Sequence, residues 1–418
     1  MAQLSDDCFA FGGPMMSVGE AVAIIAARVT AVQDVETVEL RNADGRILAA
    51  GISAPLPLPP FTNSAVDGYA VRSSDLSDKA EQTFPVAGRI QAGASAQGPI
   101  KPGHAMRIFT GAPMPEGADT VFMQEDVHID AAGRVVLPAG LKAGANVRPA
   151  GEDIDAGTPA LPAGQRLRPQ DVALAAAFGL THLEVRRRIR VAVFSTGNEL
   201  VSPGSPRAAV QLYDSNRFML MAMLARLGCD VSDLGILRDD RDSLATALKK
   251  GAGAHDLILT TGGVSTGEED HVKAGVERVG TLVLWRMAIK PGRPVAMGII
   301  GGTPFIGLPG NPVASFVTFA HVVRPTILAL AGALQQNLLP VPVRAAFTYR
   351  KKIARREYVR VTLRKGADGE LEAVKFPREG AGLLSSLVAT DGLVELGEEI
   401  TQVEPGQKVG FLAYASLT

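Results

Sequence analysis

The segment TTGGVSTGEEDHVK, residues 260–273, places glycines, hydroxyls, acids and a lysine directly after an apolar run. Glycines at 262, 263 and 267 would let backbone N–H groups approach an anion closely. A helix beginning near Asp270 would add the partial positive charge of its N-terminus. Taken alone the signal is weak. GGVSTG fits neither the G-x-x-x-x-G-K-[ST] nor the G-x-G-x-x-G phosphate loop. A Gly-Gly turn after a strand is commonly only a tight turn, and Asp270 by itself reads as a helix N-cap.

Neighbouring segments change the weight of this one. STGNELVSPG follows IRVAVF and carries Thr196, Gly197 and Glu199. RDD follows DLGIL and carries Asp239, while GGVSTGEED itself supplies Ser265, Thr266 and Asp270. KPGRP follows WRMAI with Lys290 and Arg293, and PGNP follows PFIGL with Pro309, Asn311 and Pro312. Each is bland in isolation: Asp239-Asp240 as a solvated turn, Lys290 before Pro-Gly as a surface residue, the prolines as shapers of a turn and a helix start. On one rim, however, Glu199, Asp239 and Asp270 would repel each other unless a cation sat between them. Hard oxygen donors in small number favour Mg²⁺ shared with a substrate phosphate. Lys290 and Arg293 would balance the remaining negative charge.

The alternation of elements over residues 188–335 is what puts these loops on one rim. IRVAVF, DVSDLGIL, DLILTT, TLVLWRMAI and PFIGL read as strands, separated by helical stretches such as DSNRFMLMAMLARLG and RDSLATALKKGA. Asp242 or Ser243 is the expected cap of the latter, and NPVASFVTFAHVVRPTILAL is expected as one closing helix. Strands buried on both faces predict a parallel-dominated sheet in a three-layer α/β domain. Ligands of such sheets sit beyond the carboxyl ends of the strands. Residues 61–145 and 336–418 are Gly-rich with short alternating runs, predicting an inserted β domain and a C-terminal β-barrel. Residues 1–60 and 146–187 share a texture and predict one extended N-terminal α+β domain interrupted by that insert. Ser17 is its first N-cap, and Arg168-Pro169 opens a later helix that Gly179 closes.

A chain of 418 residues implies two to four domains, so the class is α/β multidomain. The 42 basic and 43 acidic residues nearly cancel. No field of one sign exists to attract nucleic acid or anionic membrane, so a bound anion must be held by local geometry. Cys8 and Cys229 are far apart and make neither a disulfide framework nor a zinc spacing, which points to a reducing cytoplasm. MAQLSDDCFA has no basic n-region or apolar h-region, so no signal peptide is expected. The most apolar stretch, FVTFAHVVRPTILALAGAL, contains His321, Arg324 and Pro325 and reads as a buried helix, not a membrane span.

PPFTNSAVDGYAVR, FTGAPMPEGADTV, FSTGNEL, YDSNR, TTGGVSTGEEDHVK, IKPGRPVAMG and GLPGNPVASF occur in this order and together resemble the molybdopterin molybdenumtransferases, the MoeA family. The resemblance covers nearly the whole chain. It implies an L-shaped homodimer of four-domain protomers with the site between subunits. It also implies the reaction: molybdate is inserted into adenylylated molybdopterin with Mg²⁺-dependent loss of AMP, and a molybdopterin adenylyltransferase-type partner acts beforehand. By resemblance, Asp67 and Thr110 are functional positions on the β insert, facing the rim of the other subunit. Glu199, Asp239 and Asp270 match the family's acidic positions, the last two foremost as Mg²⁺ ligands. Lys290 and Arg293 match the cationic pair near the molybdate, and Arg360 in EYVRV resembles a third cation. Thr196, Gly197, Gly262, Gly263, Ser265, Pro309, Asn311 and Pro312 are expected to bind substrate. Relatives often carry lysine at Arg286 and Arg293, and serine at Ala314, where here Ser315 follows. Two rivals stand beside this reading: adenylyl transfer from ATP to molybdopterin, which needs no insert carrying Asp67 and Thr110, and a non-enzymatic scaffold of the gephyrin kind.

Overall fold

The computed structural model describes residues 15–94, 98–237, 240–263 and 271–418. Ser17 opens the helix Val18–Arg28 through a capping box. Its Oγ accepts from Glu20 N at 3.2 Å, and the Glu20 carboxylate accepts from Ser17 N at 2.8 Å. The strand Val35–Glu39 then pairs antiparallel with the distant His182–Arg186, and Ile52–Ser53 pairs with Pro159–Leu161. Pro169 starts the helix Pro169–Ala177. Leu48, Leu161, Leu167, Ala175, Leu183 and Val185 close one small core over both stretches of chain. Between them lie a four-stranded sheet ordered Val86–Ile90, Ala105–Ile108, Gly68–Val71, Thr120–Met123, and a three-stranded sheet built on Val135–Leu137.

The α/β domain is built from β1 (Arg190–Thr196), α1 (Asn216–Arg226), β2 (Asp230–Leu237), α2 (Arg241–Ala252), β3 (Leu257–Thr261), α3 (His271–Val279) and β4 (Gly280–Arg286). It continues with β5 (Ile289–Lys290), β6 (Pro294–Ile300), β7 (Thr303–Leu308), α4 (Pro312–Thr318) and α5 (Arg324–Leu330). The sheet order is β2-β1-β3-β7-β6-β4. The first four strands are parallel, and β6 runs antiparallel to both of its neighbours. Successive residues of β1 enter different cores, as strand pleating requires. Val191 and Val193 pack with Leu220 and Leu224 of α1 and Val317 of α4. Ala192 and Phe194 pack with Leu244 and Leu248 of α2 and Val272 and Val276 of α3. The domain therefore has the expected three layers.

Two expectations are corrected. The cap of α2 is Asp240, whose carboxylate accepts from Ser243 N at 2.9 Å, and neither Asp242 nor Ser243 takes that place. The closing helix is not one α-helix. A π-helical turn, Phe319–Val323, separates α4 from α5. Pro325 lies at the start of α5 and has no N–H to give to the preceding turn, so the ladder must be interrupted there. Pro312–Leu330 is long and apolar enough to cross a membrane by composition, but its most apolar window is 89% buried inside the fold.

The C-terminal strands β8 (Val341–Ala345), β9 (Arg356–Lys365), β10 (Leu371–Lys375), β11 (Gly392–Leu396) and β12 (Lys408–Ala413) close a barrel in the order β9-β10-β8-β12-β11, with β11 returning to β9. Val359, Val361, Ala373, Val394 and Phe411 fill it. The short β5 leaves the α/β sheet and pairs in parallel with the start of β9, Ile289 beside Arg356 and Lys290 beside Glu357. This seam joins the α/β domain to the barrel.

Candidate active site

At the carboxyl edge of the sheet the loops after β1, β3 and β7 are laced together. Gly262 N donates to Leu308 O at 3.1 Å, and Thr261 Oγ1 donates to Pro309 O at 3.2 Å. Asn216, at the start of α1, donates through Nδ2 to Thr261 Oγ1 at 3.0 Å and to Gly310 O at 2.7 Å. Gly262 and Gly263 have φ of +86° and +64°. A Cβ on Gly262 would meet Thr196 O at 2.7 Å, and one on Gly263 would meet Val272 Cγ2 at 2.5 Å. Glycine is needed here first for packing of one loop on the next. Glu199 is exposed, and its carboxylate folds back so that a Cβ on Gly197 would lie 2.6 Å from Oε2. Asp239, Ser265, Thr266, Gly267 and Asp270 lie outside the described residues.

The loops after β4 and β7 face the barrel across a cleft of about 560 Å³. Lys290, Arg293, Pro309, Asn311 and Ala314 line it from the α/β side. Tyr349, Arg355, Arg360, Lys375, Arg378 and Glu379 line it from the barrel side. Six cationic side chains thus share the cleft wall with one carboxylate. Lys290 and Arg355 pair with Glu357, and Lys375 pairs with Glu379. Arg293, Arg360 and Arg378 have no carboxylate partner among the described residues. Arg360 Nη1 donates to Gly380 O at 2.9 Å and Ser386 Oγ at 2.6 Å, and partial burial holds its pKa below the ordinary guanidinium value. Clustered like charges at the edge of a low-dielectric wall repel, and a polyvalent anion relieves that repulsion. Asn311 holds the N-cap position of α4, makes no side-chain cap bond and lines the cleft.

Asp67 and Thr110 come together elsewhere, on the β insert. Asp67 Oδ1 accepts from both Thr110 N and Thr110 Oγ1 at 2.8 Å. These two bonds, the backbone one first, hold the Asp67 carboxyl below its usual pKa. Neither residue lines the cleft. Within one chain the structure therefore groups Lys290, Arg293, Pro309, Asn311 and Arg360, joins them through residues 308–310 to Gly262 and the sheet edge, and keeps the Asp67–Thr110 pair apart. Pro312 starts α4 and is absent from the cleft wall.

Residues 16–179 match the family model for the MoeA N-terminal region (domain I and II). Residues 192–329 match the model described as "Probable molybdopterin binding domain", and 342–414 the MoeA C-terminal region (domain IV). A molybdopterin molybdenumtransferase of Haemophilus influenzae is 38% identical over 90% of this chain and 92% of its own length. This chain belongs to the molybdopterin molybdenumtransferase family. A second relative, molybdopterin molybdenumtransferase 2 of Mycobacterium tuberculosis, is 35% identical over 94% of this chain and 98% of its own. The molybdopterin biosynthesis moeA protein of Pyrococcus horikoshii OT3 superposes with a TM-score of 0.81 at 27% identity, covering 96% of this chain and 100% of its own.

Against the pattern expected of a molybdopterin molybdenumtransferase, the departures fall unevenly. Arg286 is exposed and absent from the cleft wall, whereas Arg293 lines it. Ala314 lines the cleft, but Ser315 is fully buried with an unpartnered Oγ, so its hydroxyl does not replace the missing one. Tyr349, Arg355, Glu357, Lys375 and Arg378 were not anticipated from sequence. In KKIARRE, Lys352, Ile353 and Ala354 stay exposed, and of its basic residues only Arg355, beside the pairing of β5 with β9, reaches the cleft wall. Asn216 was also missed. A polar residue at a helix start immediately after YDS is a usable signal, since it ties the sheet-edge loops together.

Proposed function

We propose that this chain inserts molybdenum from molybdate into adenylylated molybdopterin in the cytoplasm, with Mg²⁺-dependent cleavage of the adenylate and release of AMP. One observation carries the reading: a cleft between the α/β domain and the barrel holds six cations, of which Arg293, Arg360 and Arg378 lack a carboxylate partner among the described residues. Molybdate, a compact dianion, suits such a seat, with Lys290, Arg293 and Arg360 donating to its oxygens and Asn311 orienting it. The sheet-edge loops of Thr196, Gly197, Gly262, Gly263 and Ser265 would hold the pterin and its phosphates beside Pro309. There the two dithiolene thiols pass their protons to one oxo group, which leaves as water as two Mo–S bonds form. The protein's contribution is charge neutralisation and positioning.

Hard carboxylate oxygens suit Mg²⁺. Glu199 is the one described member of the expected set, and among the described residues no three His, Cys, Asp or Glu side chains stand close enough to hold a metal. Asp239 and Asp270, with Glu199, would hold the ion on the rim, where it would neutralise the phosphoanhydride. We also infer a homodimer. Asp67 and Thr110 sit away from the cleft of their own chain, and a second subunit is the route by which they reach a rim. A molybdopterin adenylyltransferase-type partner would supply the substrate. The deciding assay incubates the protein with adenylylated molybdopterin, Mg²⁺ and molybdate and measures AMP. Molybdate-dependent AMP release that Asp270→Asn abolishes is expected; ATP consumption with free molybdopterin and no molybdate would favour adenylyl transfer instead.

A further inference from the structure

Beneath the cleft lies a carboxylate to which the sequence reading gave no role, the first residue of EYVRV. Glu357, at the start of β9, is 1% exposed, and its partner in the strand register is Lys290 of β5. Its Oε2 accepts from the Tyr349 hydroxyl at 2.7 Å and lies 3.2 Å from Lys290 Nζ. Its Oε1 accepts from Arg355 Nε at 3.0 Å and also from Arg355 Nη2. Lys290 Nζ donates to the Tyr349 oxygen at 3.2 Å, and the same phenol ring lies 5.6 Å from Lys290 Nζ and 5.7 Å from Lys375 Nζ. All three partners of Glu357 line the cleft. A carboxylate is costly to bury unless its lone pairs are met by donors. Here every donor that meets them is a group of the proposed oxyanion seat.

We propose that Glu357 is a positioning residue that holds the Lys290 ammonium, and with it Arg355, at the place where the oxyanion binds. The inference rests on the function proposed above. Lys290 ends the two-residue strand β5 contributed by the α/β domain, while Glu357 is fixed in a long barrel strand, so the pair sets one domain's cation by the other's frame. An ammonium has three N–H donors. Glu357 and Tyr349 take two, and the side chain, 45% exposed, keeps the third for the cleft. Glu357 itself is too deeply buried to touch the ligand.

The test compares Glu357→Gln, Lys290→Met and the double variant. It reads the KM for molybdate and kcat for AMP release, with molybdate binding measured by calorimetry. Glu357→Gln is expected to raise the molybdate KM by about tenfold, the worth of one charge-assisted hydrogen bond, with kcat changed far less. Because the effect passes through Lys290, the double variant should be no worse than Lys290→Met alone. Losses that multiply in full, or a folded Glu357→Gln with the wild-type molybdate KM, would overturn the inference. Should the glutamine variant not fold, Glu357→Asp keeps the charge and withdraws it by one methylene. It should raise the molybdate KM in a folded protein, and a wild-type KM there overturns the idea equally. A wild-type protein with no molybdate-dependent AMP release would refute the proposed function itself, an outcome distinct from these.

Discussion

Arg360→Met separates a binding cation from a structural one, because the structure assigns the two roles opposite costs. The guanidinium gives two hydrogen bonds to its own chain, to Gly380 O at 2.9 Å and Ser386 Oγ at 2.6 Å. Losing them costs roughly 0.5–1.5 kcal/mol each. Against this, a half-buried charge with no carboxylate partner among the described residues is removed, and that relief has the opposite sign. The fold should therefore change by about 1 kcal/mol at most, a shift in Tm of a few degrees. A charge-assisted bond to an oxyanion is worth about 1.5–3 kcal/mol, so molybdate affinity should fall roughly ten- to a hundredfold. Arg360→Lys should lie between, since it keeps the charge and loses the planar fork. Calorimetric titration with molybdate and thermal unfolding on the same preparations give both numbers. Unchanged molybdate affinity, or a variant that barely folds, would refute the assignment.

Three further outcomes follow from other parts of the molecule. Asp67→Asn and Asp270→Asn, each inactive alone, should complement when mixed under conditions that exchange subunits, recovering about a quarter of wild-type sites if the site spans a two-fold dimer; no recovery in a verified heterodimer contradicts a shared site. Asp256 accepts from Arg187 Nη1 at 2.6 Å and from Arg190 N at 2.8 Å, and these bonds lower its pKa against burial to about 2. A depressed carboxyl contributes stability above its ordinary value of 3.8 that is lost as pH falls toward 2, so Asp256→Asn should cost about 2 kcal/mol at neutral pH and flatten the acid limb of urea unfolding. Gly263→Ala meets Val272 and Thr196 at φ +64°, so it should destabilise the sheet edge by about 1–3 kcal/mol and weaken pterin binding more than molybdate binding, as unfolding and titration would report.

Much of the α/β domain was legible in sequence because its strands are apolar on both faces and its turns are punctuated. IRVAVF and DLILTT could hardly be anything else, and their order dictates which loops share an edge. Pairings across long sequence gaps were not legible. Nothing in VETVE names His182–Arg186 as its partner, because antiparallel register over such a gap is fixed by the fold around it. The shift of the α2 cap from Asp242 or Ser243 to Asp240 reflects a run of three acids and a serine within five residues, any of which has the chemistry to cap. Lys290 and Arg293 were legible as a cationic pair and Arg360 only through the family resemblance, while Arg355, Lys375 and Arg378 were not legible at all. A charge on a polar barrel loop looks the same in sequence whether it meets water or a cleft, and the short β5–β9 seam that decides the matter is two residues long. Ser315 shows the converse. Its neighbour faces the cleft, and one step along the helix turns the hydroxyl fully inward.

Whether the seam between the α/β domain and the barrel seats an oxyanion can be seen by anomalous diffraction at the molybdenum edge from crystals soaked in molybdate. A peak within hydrogen-bonding reach of Lys290, Arg293 and Arg360 that disappears in Arg360→Met is expected. A cleft with no peak at a concentration that saturates the protein in solution, or full binding at a site remote from these three side chains, would contradict it.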